Sequence, residues 1–156
     1  MIDRGKAAVS AAEEMAFGGT DLDTSLRRAE AGRCLADLIE GPWWRSCGPL
    51  VTLSTPRAAL RASRASDRPG HVAIELSDEQ LDLSTVAHEL AHALAGIGHG
   101  HDATFRAAYI DVVAVLAGAT RAAALSEAFD TMQVPPGDRR WPAPHRAVGQ
   151  GFVITP

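Results

Sequence analysis

The chain has 156 residues and a mass of 16.4 kDa, enough for one buried core and too little for two full domains. Hydrophobic residues make up 46% of the sequence and charged residues 22%, which is typical of a globular protein and excludes a collagen-like or mainly disordered chain. The net charge of −4 argues against a protein that binds nucleic acid through an overall positive field.

Two features of the sequence indicate the compartment in which the protein works. No run of about 18 apolar residues could span a bilayer, and acidic side chains at positions 3, 13 and 14 interrupt the stretch that a signal peptide would need. Cys34 and Cys47 have neither the spacing of a zinc knuckle nor the number of a disulfide scaffold, so we expect free thiols. These features predict a cytoplasmic protein that does not bind membranes.

Helices are predicted for the N-terminal part of the chain. The Ala- and Glu-rich stretch from Asp3 to Phe17 predicts a first helix, and glycines at 18 and 19 end it. Capping residues at 21–24 and apolar residues at helical spacing predict a second helix that runs to Gly41. We expect Gly41 and Pro42 to end this helix, and the tryptophans at 43 and 44 to pack in the core.

Two short strands are predicted in the middle of the sequence. Residues 50–53 are bounded by prolines and read as the first strand. Residues 71–76 alternate and contain β-branched side chains, so they read as the second strand. The arginine-rich segment over 57–70 is expected to be a helical turn or a loop.

Three helices and a tail are predicted for the second half of the chain. The first of these helices begins near residue 82 or 84 and ends at Ala95, where glycines follow. Apolar stripes predict two more helices, over 102–117 and 120–132. We therefore expect one domain over residues 1–134 and a Pro-rich tail over 135–156.

The tail is expected to be dispensable for the fold. The apolar periodicity ends at Met132, and proline-rich segments lack the N–H donors that regular structure needs. A chain shortened at residue 136 should therefore keep its melting temperature within a few degrees. Burial of Trp141 and Phe152 would overturn this expectation and make the shortened chain aggregate.

Residues 88–92 (HELAH) form an HExxH motif on a predicted helix, which is the arrangement that metal-dependent hydrolases use. His88 and His92 lie on one helix face, so two imidazoles can bind one ion. Glu89 lies about 100° further round the helix, where it can reach a water at the open side of the ion. The motif predicts a Zn²⁺ site at which Glu89 acts as general base in the hydrolysis of peptide bonds.

A catalytic zinc ion usually has three protein ligands, and the sequence offers several candidates for the third. His99 and His101 follow the motif in a glycine-rich loop, and Glu127 is the only glutamate downstream of the motif. The long metzincin pattern is excluded, because Ala95 and Gly98 stand where that pattern has Gly and His.

The HExxH motif followed by residues 98–105 (GHGHDATF) resembles the SprT-like zincin metallopeptidases. In those proteins a short glycine-containing loop and a His-Gly-x-x-Phe or His-Asp-x-x-Phe segment follow the motif. His101 and Phe105 fit that spacing, although an alignment on the His-Gly pair would select His99 instead. A group of small bacterial metallohydrolases is similar in layout over residues 1–134.

The resemblance implies an α+β, zincin-like metallopeptidase domain. Such a domain has N-terminal helices, a small β-sheet, the HExxH active-site helix and two C-terminal helices. The resemblance also implies that His101 joins His88 and His92 as the third ligand and that Phe105 packs the next helix against the active-site helix. The substrate is then a protein or peptide, and the strand over 71–76 is expected to pair with it as an extended chain.

Two alternative functions are open. In one, zinc only stabilises a non-catalytic module that works by binding a partner. In the other, the chain resembles regulator-cleaving metallopeptidases and Glu127 is the third ligand. Other residues have two interpretations: Tyr109 is an oxyanion donor or part of the core, and Asp102 or Asp111 orients a ligand imidazole or serves the fold.

Overall fold

A computed structural model describes residues 3–54, 60–79 and 81–144 of the chain. Over these residues the protein consists of six α-helices and one three-stranded sheet, which confirms the α+β class. None of the described helices is long and apolar enough to cross a membrane. The end of the predicted tail, residues 145–156, lies outside the described residues.

The helices predicted over 3–17, 82–95 and 102–117 are confirmed within one or two residues at each end. Caps explain two of these boundaries: Asp82 accepts the backbone N–H of Thr85, and Asp102 accepts that of Phe105. The six helices are α1 (Arg4–Phe17), α2 (Arg28–Glu40), α3 (Pro42–Cys47), α4 (Leu83–Ala95), α5 (Ala103–Ala117) and α6 (Ala119–Thr131).

The chain between α1 and the sheet differs from the prediction in two places. The capping residues at 21–24 form a separate 3₁₀ turn, and α2 begins only at Arg28. Gly41 and Pro42 end α2 as predicted, but Pro42 also occupies the first position of a further helix, α3, where its missing N–H has no cost. The tryptophans at 43 and 44 are buried in the core, as expected.

The sheet contains β1 (Val51–Ser54), β2 (Arg64–Arg68) and β3 (His71–Glu75) in the order β1-β3-β2. β1 runs parallel to β3, whereas β2 forms an antiparallel hairpin with β3 through a turn at Pro69 and Gly70. The expectation of a helical turn or loop over 57–70 is therefore wrong for 64–68. The polar strand RASDR lacks the alternation that reveals a half-buried strand.

β3 cannot accept a substrate strand, because both of its edges are already paired. The expectation that the strand over 71–76 would hold an extended peptide is therefore wrong. β2 is an edge strand, and among the described residues no strand pairs with its outer side. An extended ligand beside α4 would have to pair with β2.

The start of the predicted tail is part of the packed structure. Trp141 is only 8% exposed, and its indole N–H donates to Asp111 on α5 at 2.8 Å. Arg139 donates to both oxygens of the same carboxylate, at 2.7 and 2.9 Å. Trp43 donates its indole N–H to the carbonyl of Pro142. The burial of Trp141 overturns the expectation that the fold can dispense with everything after residue 136.

Candidate metal centre

The HExxH motif lies in the middle of α4, which is surrounded by other elements. α4 packs against α5, α2 and β2, and its buried residues include Val86, Ala87 and Leu90. His88 and His92 occupy the remaining face, with their ring centroids 5.0 Å apart. The helix thus presents two imidazoles side by side, as the spacing of the motif predicts.

A glycine-rich turn brings a third imidazole to the same place. Gly96 has a φ of 104° and Gly100 a φ of 57°, values that side chains with a Cβ rarely adopt. These two residues reverse the chain between α4 and α5 and place His101 over the motif. The Nε2 atoms of His88 and His101 are 3.1 Å apart, and ligand atoms of both and of His92 lie within 4.8 Å of one another.

Phe105 supports all three imidazoles from the protein interior. It lies on the first turn of α5 and is fully buried. Its ring centroid lies 5.1 Å from that of His88, 4.4 Å from that of His92 and 4.8 Å from that of His101. Phe105 therefore packs α5 against α4 and also forms the apolar base of the cluster.

Two carboxylates from the beginning of the chain fix the orientation of two imidazoles. Nδ1 of His88 lies 2.6 Å from Oε1 of Glu13, and Nδ1 of His101 lies 2.6 Å from Oδ2 of Asp3. An ionised carboxylate can only accept, so both Nδ1 atoms carry the hydrogen. In a neutral imidazole Nε2 is then left as an acceptor, directed at the centre of the cluster.

The donor set fits a divalent metal ion. Two acceptor Nε2 atoms 3.1 Å apart repel each other unless a cation lies between them or a proton is added. Around a tetrahedral zinc ion with Zn–N bonds of about 2.0–2.1 Å, ligand nitrogens are about 3.3 Å apart. The cluster therefore needs only side-chain adjustments to reach such a geometry.

The environment of the cluster changes the pKa values of His88, Glu89 and His92. Burial, together with the neighbouring His88 and His101, lowers the pKa of His92 to about 3. Burial alone would lower the pKa of His88, but the hydrogen bond with Glu13 and the negative charges of Glu13 and Glu89 together outweigh burial and raise that pKa. Burial raises the pKa of Glu89, and the positive charge of His88 and the backbone N–H of Ala65 oppose that rise.

Glu89 lies beside the imidazoles and is only 6% exposed. It lines a cleft of about 370 Å³ whose floor includes the three histidines of the cluster. One wall of the cleft is α1, with Lys6 and Glu13, and the other is the segment Arg61–Ala65 at the beginning of β2. The cleft thus joins the imidazole cluster, the Glu89 carboxylate and the free edge of the sheet.

The other candidate ligands lie elsewhere. His99 is bonded to Asp102 through Nδ1 at 2.8 Å and does not belong to the cluster. Glu127 is exposed on α6 and is neither in the cluster nor among the residues that line the cleft. Cys34 and Cys47 are free thiols.

The structure shows the contacts of Asp102, Asp111 and Tyr109, the three residues for which the sequence leaves two roles open. Asp102 caps α5 and binds His99, and Asp111 binds Arg139 and Trp141, so neither orients an imidazole of the cluster. Tyr109 is fully buried, and its hydroxyl donates to Glu13 at 2.8 Å. The two carboxylates that do contact the cluster carry no signal in the sequence, since they lie 75 and 98 residues from the histidines they bind.

No protein-family model, no curated protein and no solved structure matches this chain. The fold and the site define an α+β protein with a histidine cluster that could hold a metal ion. The resemblance to SprT-like zincins stays a prediction from residues 88–105.

Proposed function

We propose that the protein is a zinc-dependent hydrolase that cleaves peptide bonds. In this proposal His88, His92 and His101 bind the zinc ion and Glu89 is the general base. The observation that carries it is the convergence of three imidazoles in an open cleft beside a buried carboxylate. A zincin-like fold is part of the same proposal, and the position of the motif on a helix between a small sheet and α5 supports it.

The composition of the cluster favours a catalytic site over a structural one. Structural zinc is usually bound by four protein ligands, whereas catalytic zinc has three and keeps one position open. Among the described residues the cluster contains three histidines and no fourth His, Cys, Asp or Glu. A three-imidazole set suits zinc, and the cleft gives the open position access to solvent.

Each residue of the site has a defined task in this mechanism. A bound zinc ion supplies a Lewis acid that polarises a carbonyl and makes a water more acidic. Glu89 accepts a proton from the attacking water while the water oxygen adds to the carbonyl carbon, and it returns the proton to the amine nitrogen as the C–N bond breaks. Glu13 and Asp3 keep the imidazoles of His88 and His101 in the orientation that directs Nε2 inward.

The walls of the cleft favour an extended peptide as substrate. β2 has an outer edge without a strand partner in the described structure, and residues 61–65 line the cleft next to Glu89. Backbone groups on a strand edge bind an extended chain whatever its side chains are. A volume of about 370 Å³ suits a short part of a peptide rather than a folded domain.

The replacement Glu89→Gln tests this function. We expect the variant to bind zinc like the wild type, because no imidazole changes, and to hydrolyse labelled casein at least roughly 10²-fold more slowly. Glu127→Gln is the matched control, since it makes the same change at an exposed glutamate on α6 and should alter neither property.

Each result of this experiment has one interpretation. A Glu89→Gln variant that keeps the full rate contradicts the assignment of the general base. Loss of zinc in that variant would place Glu89 among the ligands, and loss of zinc in Glu127→Gln would favour the regulator-cleaving alternative. Stoichiometric zinc without hydrolysis in the wild type would favour the non-catalytic binding module.

A further inference from the structure

The N-terminal helix α1 contributes two side chains to the candidate metal centre although the motif lies on α4. Asp3 precedes the first residue of α1 and binds His101, and Glu13 lies in its third turn and binds His88, both at 2.6 Å. These are the two imidazoles whose Nε2 atoms face each other at 3.1 Å. One helix thus orients ligands that come from two different segments of the chain.

The two carboxylates are themselves held in place. Glu13 accepts a second hydrogen bond at Oε1, from the hydroxyl of the fully buried Tyr109 at 2.8 Å. Asp3 also caps α1 by accepting the backbone N–H of Gly5 at 3.1 Å. Each carboxylate therefore has a defined position before any metal binds, which limits the conformational freedom that binding must remove.

The backbone of α1 touches the loop that carries His101. A Cβ atom at Gly5 would overlap the carbonyl oxygen of His101, so the first turn of the helix lies directly against that residue. Arg106 donates to the same carbonyl at 2.8 Å. The position of His101 therefore depends on the position of α1 as well as on the glycine-rich turn.

We propose that α1 is a functional part of the metal centre and that Asp3 and Glu13 are positioning residues for the metal. The inference rests on the proposed function only in requiring that the histidine cluster binds zinc. The two carboxylates hold the imidazoles in the binding geometry and make their Nε2 atoms better donors. The bound metal in turn holds α1 against the loop and so keeps this wall of the cleft in place.

Thermodynamic linkage makes the effect of α1 docking on zinc affinity equal to the effect of zinc on α1 docking. If docking of α1 raises zinc affinity by a given factor, zinc raises the docking equilibrium of α1 by the same factor. Loss of a hydrogen-bond partner of a ligand typically lowers metal affinity 10–100-fold. The same 10–100-fold change should therefore appear in the local opening of α1 when zinc is removed.

The first measurement is the zinc affinity of four variants by chelator competition. Asp3→Ser keeps a residue that caps helices well but is too short to reach His101, so capping and positioning are separated. Glu13→Ala removes the acceptor, whereas Glu13→Gln keeps an oxygen in its place and should lose less. Glu14→Gln is the matched control, because this exposed carboxylate on the same helix contacts neither imidazole.

We expect a 10–100-fold loss of zinc affinity in Asp3→Ser and Glu13→Ala, a smaller loss in Glu13→Gln and none in Glu14→Gln. Circular dichroism confirms that each variant is folded at the temperature of the titration. The second measurement is amide hydrogen exchange of α1 in the full chain. Zinc should slow exchange of the wild-type helix at least 10–100-fold and slow it less in Asp3→Ser or Glu13→Ala, since one of the two carboxylates still links α1 to the cluster in each variant.

The results distinguish this inference from the proposed function. Wild-type zinc binding together with unchanged affinity in Asp3→Ser and Glu13→Ala overturns the inference and leaves the proposed metal site intact. Zinc binding that leaves the exchange of α1 unchanged also overturns it. A wild-type protein that binds no zinc overturns the proposed function and the inference with it.

Discussion

Removing everything after residue 136 should destabilise the protein strongly, although the sequence predicts that this segment is dispensable. The shortened chain lacks Trp141, which is 8% exposed, and Arg139, which donates two hydrogen bonds to Asp111. Asp111 lies on α5 and is 3% exposed in the full chain, and it loses both of these partners when the segment is removed.

The decrease in the free energy of unfolding follows from the loss of Trp141 and the loss of the ion pair between Arg139 and Asp111. Replacing a buried tryptophan by a small residue costs about 3–5 kcal/mol. Loss of the ion pair with Arg139 adds about 1 kcal/mol, because Arg139 is half exposed and water reaches Asp111 once the segment is gone. The two losses reach at least about 4 kcal/mol, which lowers the melting temperature of a chain of this length by at least about 8 °C.

Thermal unfolding followed by circular dichroism measures this effect for the shortened chain and for Trp141→Ala in the full chain. Arg140→Ala is the matched control, since it changes an exposed neighbour in the same segment and should leave the melting temperature within about 2 °C. A shortened chain that melts within about 3 °C of the wild type would refute the reasoning and restore the prediction from the sequence.

Three further predictions concern the metal centre. His101→Ala should abolish stoichiometric zinc binding and His99→Ala should preserve it, as measured by metal analysis after dialysis; the reverse order would contradict the choice of ligand. Gly5→Ala should weaken zinc binding by displacing α1 from the carbonyl of His101, and a variant with wild-type affinity would show that this contact is unimportant. Lowering the pH from 7.5 to 5.5 should weaken zinc binding, because the Glu13 and Glu89 carboxylates together outweigh burial and raise the pKa of His88, so protons compete with the metal. A zinc affinity that is constant over this range would contradict that competition.

The sequence was sufficient to predict the elements and residues that depend on local patterns. α4 has an apolar face within its 13 residues, a capping residue directly before it and a glycine directly after it, so its bounds follow from the sequence. The spacing of His88 and His92 determines that they share a helix face. The position of His101 was implied by a resemblance, and the structure brings this residue rather than His99 to the cluster.

The remaining features depend on contacts between distant parts of the chain. Glu13 and Asp3 reach the cluster only because α1 packs beside it, and no spacing within α1 indicates this. β2 has polar residues on both faces because it lies at the edge of the sheet, so hydrophobic alternation does not reveal it. Trp141 is buried at a position where its indole N–H donates to Asp111 on α5. The proline-rich composition around Trp141 indicates only a tail.

The most direct test of the account is X-ray absorption spectroscopy at the zinc edge on the wild-type protein loaded with one equivalent of zinc. We expect one site with three imidazole nitrogens at about 2.0–2.1 Å and one further light ligand at a similar distance. His101→Ala, which should not retain stoichiometric zinc, should no longer show this site, and Glu127→Gln should leave it unchanged. A sulfur ligand at about 2.3 Å, a fourth imidazole or no bound zinc would contradict the central claim that His88, His92 and His101 form a three-ligand catalytic site.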